Sequence, residues 1–484
     1  MQDYSYRLNS RNRRNSRNRR NSRNRQSIIL GLIITIRELY PNEQLKIMYS
    51  IPDGIYCEFK NSLVSPREVK KIEEQLTKWI KKDVPISYYT GDDGFIHCQV
   101  NDQEFKTLFT VLNHSGGVQQ CRLVSYPPGF ILLYNTFPDS ESSPPYVPPE
   151  KLSATFSESQ RWVENLQLPE VEDINAVISA GHSNELISVA EALHEKKISI
   201  IADRILEQRR HVRVILIAGP SSSGKTTFTQ RLSTQLRVNG LLPVALSLDN
   251  YFLPRDKTPR DAAGKFDFDV LEALDLALLD THLNALIKGG FVETPIYDFV
   301  SGSRLPQGIP MKLKNNEILL IEGIHALNPR LLPSLERNKL FKIYISSLYQ
   351  SNIDSYNRVP TTEVRLIRRL VRDDRTRGIE PERTLAQWSS VRRSENTILF
   401  PHQEESDIMF NSSLLYELNA LRPYAEPLLV SIPQNSPHHQ VATRLLRILS
   451  FFCPMDTNKI PFNSILREFI GESLYNNSIR GLDW

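Results

Sequence analysis

The chain is predicted to be α/β: a doubly wound parallel sheet preceded by a smaller α+β domain. Three observations carry this. The run Val214-Ile215-Leu216-Ile217-Ala218 is continuously apolar, as a strand covered on both faces must be. It leads straight into Gly219-Pro220-Ser221-Ser222-Ser223-Gly224-Lys225-Thr226, a G-x-x-x-x-G-K-T spacing that opens a helix. From residue 212 onward, short apolar strands alternate with helical stretches. That alternation places a ligand at the strand C-termini of a parallel sheet.

The glycine-bounded loop defines a P-loop NTPase sheet. Gly219 and Gly224 let the backbone turn tightly, so that successive N–H groups and a helix N-terminus face an anion. The expected cradle for ATP is Gly219, Ser221, Ser222, Ser223, Gly224, Lys225, Thr226 and Thr227. Lys225 would reach the β- and γ-phosphates, and the Thr226 hydroxyl would ligand Mg²⁺.

Composition excludes several classes. The chain has 484 residues, with 40% hydrophobic and 24% charged, as in ordinary globular protein. Four cysteines stand far apart with no C-x-x-C pair. A disulfide framework and a structural zinc site are not expected, and a reducing, cytoplasmic setting is. The net charge of +4 comes from one end: nine arginines lie in residues 7–25, and without residues 1–25, 50 basic residues face 54 acidic ones. No basic groove for nucleic acid is signalled outside that tail. No apolar run reaches the ~18 residues of a membrane span.

Taken in order, residues 9–26 repeat NSRNRR, NSRNRR, NSRNRQ. Residues 1–26 are expected to be disordered, because such a segment cannot bury a core. A solvated tail, a nonspecific RNA-binding arm and a targeting peptide all fit it. Ile28–Ile36 is read as a strand or helix of the first domain, which spans residues 27–210. Ile55–Phe59 reads as a strand. Ser65-Pro66-Arg67-Glu68 opens a helix to about Lys82 with a capping box. Phe130–Tyr134 closes that region, and residues 138–150 form a Pro-rich linker. Residues 157–168 and 183–209 read as helices, with His182 and His194 as solvated side chains. The parallel sheet is placed at 211–435, with strands near Val244–Leu248, Ile318–Ile321 and Lys342–Ile345. Residues 436–484 are a helical extension.

Acids follow the strand ends where phosphoryl chemistry needs them. Asp249 could take a proton from an acceptor hydroxyl or hold Mg²⁺ through water. Glu322 stands where an acid supports the metal. Phe266-Asp267-Phe268-Asp269 and Thr294–Phe299, with Arg304 after it, set aromatics beside acids, suited to a flat ring and its hydroxyls. Arg365, Arg368, Arg369, Arg372, Arg375 and Arg377 recur along one helical stretch ending at Gly378. They are read as a mobile arginine lid over the transferring phosphoryl group.

GPSSSGKTT, SLDNYF, FDFDVLEALD, TPIYDFVSGSR, LLIEG and RLIRRLVRDDRTRG together make residues 212–430 resemble the uridine kinase / phosphoribulokinase family. The resemblance implies ATP-dependent phosphorylation of a hydroxyl, typically the 5′-hydroxyl of uridine or cytidine. It implies that Asp249 is the base, with Lys225, Arg369, Arg372 and Arg377 acting on the phosphoryl group. Thr226, Glu322 and Asp249 would serve Mg²⁺. Asp269, Tyr297, Arg304, Arg369 and Gln387 would hold the nucleoside. Gly302 and Ile379 depart from the pattern, standing where nucleoside-specific members carry a histidine and an arginine. SIPDGIYCEF, SPREVKKIEEQL, KKDVPI, SYPPGFILLY and AEALHEKKISIIADRI resemble the additional domain of threonyl-tRNA synthetase, without the H-x-x-x-H of an editing site. The expected partners are ATP, a small-molecule acceptor and further copies of the chain in a homo-oligomer, with no membrane. A kinase for another hydroxyl substrate, such as a sugar phosphate, and a nucleotide-binding RNA-linked regulator are the alternatives. A GTPase switch is disfavoured for want of N-K-x-D.

Overall fold

In the computed structural model, residues 22–51, 54–134, 146–260, 264, 266–268, 270–298 and 301–475 are described. The expected tail therefore lies outside them only as far as residue 21. The last repeat unit does not: helix α1 covers residues 22–39. Asn24 is 1% exposed, and its Oδ1 accepts from Gln119 N–H at 2.7 Å. Arg25 lies over the Tyr134 ring at 5.0 Å. The apolar stretch from Ile28 to Ile36 is buried nearly all round, so it docks as a central helix, and the polar residues just before it continue that helix.

Around α1 the first domain adds β1 (Leu45–Ile51), β2 (Gly54–Phe59), α2 (Pro66–Lys81), β3 (Ile86–Thr90), β4 (Ile96–Val100), β5 (Gln103–Thr107), β6 (Cys121–Tyr126) and β7 (Gly129–Tyr134). The sheets run β1-β2-β7-β6 and β3-β4-β5, with antiparallel pairing throughout. The capping box at α2 is formed: Glu68 N–H donates to Ser65 Oγ, and Ser65 N–H to Glu68 Oε2 at 2.8 Å. Val69, Ile72, Leu76 and Trp79 make its buried face. Strand β1 lies at an edge, and its outer side is covered from far along the chain. Ile47 N–H donates to Ser355 O at 3.0 Å, and Asn352 Nδ2 donates to Ile47 O at 2.8 Å.

Helices α3 (Glu150–Asn165), α4 (Val171–Ser179) and α5 (Ser183–Glu207) follow, so the expected linker ends in a helix. Next come β8 (Val214–Ala218), α6 (Lys225–Val238), β9 (Leu242–Ser247), α7 (Leu276–Ile287), β10 (Phe291–Thr294), β11 (Tyr297–Asp298), β12 (Ser303–Arg304), β13 (Ile309–Lys312), β14 (Glu317–Glu322) and β15 (Leu340–Ser346). The chain closes with α8 (Thr361–Arg377), α9 (Pro381–Ser394), β16 (Ile408–Asn411), α10 (Glu417–Val430), α11 (His439–Ser450) and α12 (Arg467–Ile470). The five-stranded sheet has the order β16-β15-β8-β14-β9, all parallel. Strand β8 is central, and its C-terminal end delivers the P-loop. The two-stranded ribbons β10-β13 and β11-β12 are inserted between β9 and β14.

The expected boundaries at 210 and 435 do not divide the core. One apolar cluster contains Ile174, Ile198, Ile201 and Ile205 from α4 and α5, Ile215 and Ile217 from β8, Leu445 from α11, and Ile465 and Phe469 near the C-terminus. A parallel sheet needs both faces covered, and here the flanking helices come from both sides of the family-like segment. His194 is part of this packing and not solvated: it is 3% exposed, and its Nε2 meets Ser413 O at 3.0 Å. Nearby, Arg231 pairs with Glu191 at 3.3 Å and Glu195 at 2.7 Å, fastening α6 to α5. Among the described residues no helix is long and apolar enough to cross a membrane.

Burial and the Arg231 guanidinium pull the His194 pKa down to about 3, against about 6.5 in an unfolded chain. Between those values the unfolded state binds the extra proton, so stability is full above pH 6.5 and falls as the pH drops towards 3. The slope should approach about 1.4 kcal/mol per pH unit. Thermal melts from pH 7 to 4.5 should show His194→Gln losing this part of the acid sensitivity. A variant as acid-sensitive as wild type would exclude His194 as its source.

Candidate active site

The P-loop is shaped by two left-handed residues. Gly224 has φ +83°, which glycine takes freely, and Ser222 has φ +59°, which a serine adopts only when its surroundings impose it. Left-handed residues at alternate positions of such a loop help turn N–H groups towards one point, as in an anion-binding nest. The floor is close-packed: a Cβ at Gly219 would stand 2.3 Å from Ile345 O. The hydroxyls of Ser222 and Ser223 are buried and have no partner among the described residues. Lys225 Nζ donates to Gly219 O at 2.9 Å and Pro220 O at 3.1 Å, which seats its ammonium across the loop. A cavity of about 420 Å³ opens here, lined by the loop together with Glu322, Arg372 and Arg377. Orphaned hydroxyls in a nest beside three cationic side chains fit a polyphosphate.

The loop is gripped from behind. Ser221 N–H donates to Glu395 Oε1 at 2.8 Å, Ser221 O accepts from Arg365 Nε at 3.0 Å, and Ser221 Oγ accepts from Arg369 Nη1 at 2.9 Å. Arg365 also pairs with Glu395, and Arg368 with Glu417. These arginines are 1% and 0% exposed. The expected mobile lid is therefore corrected. Helix α8 is a wall of the core, with Val364, Ile367, Leu370 and Val371 buried. A guanidinium can be buried there because a carboxylate from another helix meets it. Only the later arginines, Arg372 and Arg377, line the phosphate cavity. Asp373, fully buried, aligns them: Arg369 Nε at 3.1 Å, Arg372 Nη2 at 2.7 Å and Arg377 Nη1 at 3.7 Å surround it. Arg369 Nη2 also donates to Gln387 Oε1 at 3.3 Å. The two residues expected together are brought together, but on the P-loop side.

Magnesium binding by P-loop enzymes takes one or two carboxylates, a hydroxyl and phosphate oxygens. Thr226 and Glu322 both face the cavity and fit that set. Burial, aided by the Glu468 and Asp249 carboxylates and opposed by Lys225, pushes the Glu322 carboxyl up to about 7. A cation would restore its charged form. Among the described residues no trio of His, Cys, Asp or Glu makes a metal cage without phosphate.

Asp249 stands in the 3₁₀ turn Leu248–Tyr251 at the end of β9. Crowding by protein raises its carboxyl pKa, while Lys225 lowers it, which makes it a better base than a free aspartate. The turn is fixed by its neighbours. Tyr251 O accepts from Asp275 N–H at 2.8 Å and from Arg304 Nη2 at 3.1 Å, while Arg304 Nη1 pairs with Asp275 at 3.0 Å. Arg304 thus holds the Asp249 turn, in place of the substrate contact expected of it, because Asp275 and a carbonyl already engage its guanidinium. Tyr297 N–H donates to Asn250 Oδ1 at 3.3 Å, and the Tyr297 ring lies 5.7 Å from Phe252, itself 6.2 Å from Phe268. These rings form an aromatic wall beside Asp249. Asp269 lies outside the described residues.

A phosphate cradle, with the Asp249 turn and its aromatic neighbours beside it, defines a P-loop phosphotransferase acting on a hydroxyl group. The family model for the phosphoribulokinase / uridine kinase family matches residues 214–415. A uridine kinase of Deinococcus deserti is 31% identical over 202 residues, 41% of this chain and 88% of that protein. A uridine kinase of Chloroflexus aurantiacus is 29% identical over 198 residues, 41% of this chain and 85% of that protein. The solved structure of a possible uridine kinase from Bacillus stearothermophilus is similar at 20% identity, over 45% of this chain and 98% of that one, with a TM-score of 0.27. The chain belongs to the phosphoribulokinase / uridine kinase family.

Asp249→Asn keeps the shape of the side chain and removes the base. It should lower kcat by on the order of 10²–10⁴-fold while ATP still binds, measured by ATP consumption and by calorimetry. Turnover within a few-fold of wild type would remove Asp249 from that role.

Proposed function

We propose that the protein is an ATP-dependent kinase of a small hydroxyl-bearing acceptor, foremost the 5′-hydroxyl of uridine or cytidine, giving UMP or CMP. The observation that carries this is Asp249, held on a fixed turn within electrostatic reach of Lys225 at the phosphate cradle. Asp249 accepts the hydroxyl proton as the acceptor oxygen bonds to the γ-phosphorus and ADP leaves. Lys225, Arg372 and Arg377 offset the charge spread over the transferring group. Mg²⁺, held by Thr226 and Glu322, would neutralise the β- and γ-oxygens when bound. The aromatic wall of Phe252, Phe268 and Tyr297 would stack on the acceptor ring.

One feature favours the second acceptor class. Gly302 has φ +70°, and a Cβ there would stand 2.7 Å from Arg255 Nε. A guanidinium thus crowds the position where the resemblance expects a base-contacting histidine. A cation at that place suits an acceptor that already carries a phosphate or carboxylate. The regulator reading draws on the arginine repeat, which lies mostly outside the described residues, whereas a carboxylate at Asp249 beside the phosphate cradle supports catalysis.

An acceptor panel separates the readings. Purified full-length protein with ATP and Mg²⁺ should phosphorylate uridine and cytidine, read by ADP release and product mass. Turnover with sugar phosphates but neither pyrimidine nucleoside would select the second class. No turnover with any acceptor would sink the kinase proposal.

A further inference from the structure

The C-terminal segment reaches into the phosphate cradle. Glu468 Oε2 accepts from Thr227 N–H at 3.2 Å and from Thr227 Oγ1 at 3.1 Å. Ile465 caps the loop beside it: a Cβ at Gly224 would stand 2.5 Å from Ile465 Cγ2. Glu468 faces the same cavity as Lys225, Thr226 and Glu322. The amide and hydroxyl in the first turn of a P-loop helix are donors aimed at an anion, and here a carboxylate takes both. The neighbouring Ser222 and Ser223 hydroxyls, buried in the same cradle, have no partner among the described residues.

The segment is no loose plug. Ile465, Leu466 and Phe469 are each 0% exposed and belong to the apolar core of the kinase sheet. The Arg467 guanidinium donates to Ile460 O at 2.7 Å and Thr457 O at 3.1 Å. Arg368 lies over the Phe469 ring at 5.0 Å. Glu468, by contrast, is only half-buried, so its side chain can turn while the backbone stays.

We propose that Glu468 sets the affinity of the donor site: its carboxylate holds, at Thr227, the place of a nucleotide phosphate oxygen, and ATP binds by turning it aside. This rests on the reading of the P-loop as the ATP site. A polyanion entering the cradle meets the negative charge of Glu468 at the donors it would otherwise use. Like charges a few ångströms apart in a partly desolvated site repel strongly. The same carboxylate returns to Thr227 as ADP departs, so binding of both nucleotides is weakened together. The acceptor site is untouched.

The test is calorimetric titration of ATP and of ADP, with Mg²⁺, into the full-length protein and its Glu468→Gln, Glu468→Ala and Lys225→Ala variants. Removing the charge should tighten both nucleotides by about ten-fold. KM for ATP should fall in step, and KM for the acceptor should not move. Unchanged or weaker nucleotide binding in the Glu468 variants, while wild-type binding depends on Lys225, overturns the proposal alone. Wild-type protein that fails to bind ATP, or binds it equally well as Lys225→Ala, overturns the ATP-site reading and this proposal with it. If Glu468→Ala melts early, Glu468→Gln decides, since it keeps the side-chain size and an acceptor oxygen for Thr227.

Discussion

The buried pairing of Arg365 with Glu395 is the constraint on which the phosphate site depends. Both groups also bind the backbone of Ser221, one at its carbonyl and one at its N–H. A guanidinium and a carboxylate in a dry interior are each costly, and removing either partner leaves the other uncompensated, at roughly 3–5 kcal/mol. The arrangement therefore tolerates little displacement of α8 or of the helical segment that carries Glu395. That rigidity is transferred to the P-loop, where Ser222 is held in a backbone conformation it would not choose. Arg368 with Glu417 repeats the device one turn on, binding the same helix to α10.

A division of labour follows along one helix. The first arginines of α8 build the site, and the later ones face its contents. Asp373 joins the two groups, since it lies fully buried and orients Arg369, Arg372 and Arg377 at once. Asp275 and Arg304 do for the Asp249 turn what Glu395 and Arg365 do for the phosphate loop. In both places an ion pair fixes a short turn from behind. This is how a site on loops reaches the sub-ångström placement that phosphoryl transfer demands.

Much of this was legible from local pattern. The apolar run before Gly219, the spacing of Gly224-Lys225-Thr226, and the Ser65-Pro66-Arg67-Glu68 cap each encode their geometry within a few residues. The arginines of α8 were legible as a helix face but not as two classes, because which guanidinium is buried depends on carboxylates 30 and 49 residues away. Glu468 lies outside every phosphate-binding motif, and its place in the cradle emerges only when the chain returns to Thr227 after 241 residues. The burial of His194 is hidden from local pattern for a similar reason. Its sequence neighbours are charged, yet the side of α5 it occupies is covered by residues from β16 and beyond. The extent of the core was hidden too, since apolar spacing on α5 or α11 shows that a face is buried without showing against what.

The edge of β1 has a consequence for how the chain is made. Its open hydrogen-bonding side is satisfied by Asn352 and Ser355, some 305 residues downstream. Synthesised from the N-terminus at roughly 5–20 residues per second, the chain would present that bare edge for about 15–60 s before its cover emerges. An uncovered edge strand recruits other strands. The nascent first domain is thus the point at which neighbouring ribosomes on one message would tangle their products, and where a holding chaperone would have most to protect.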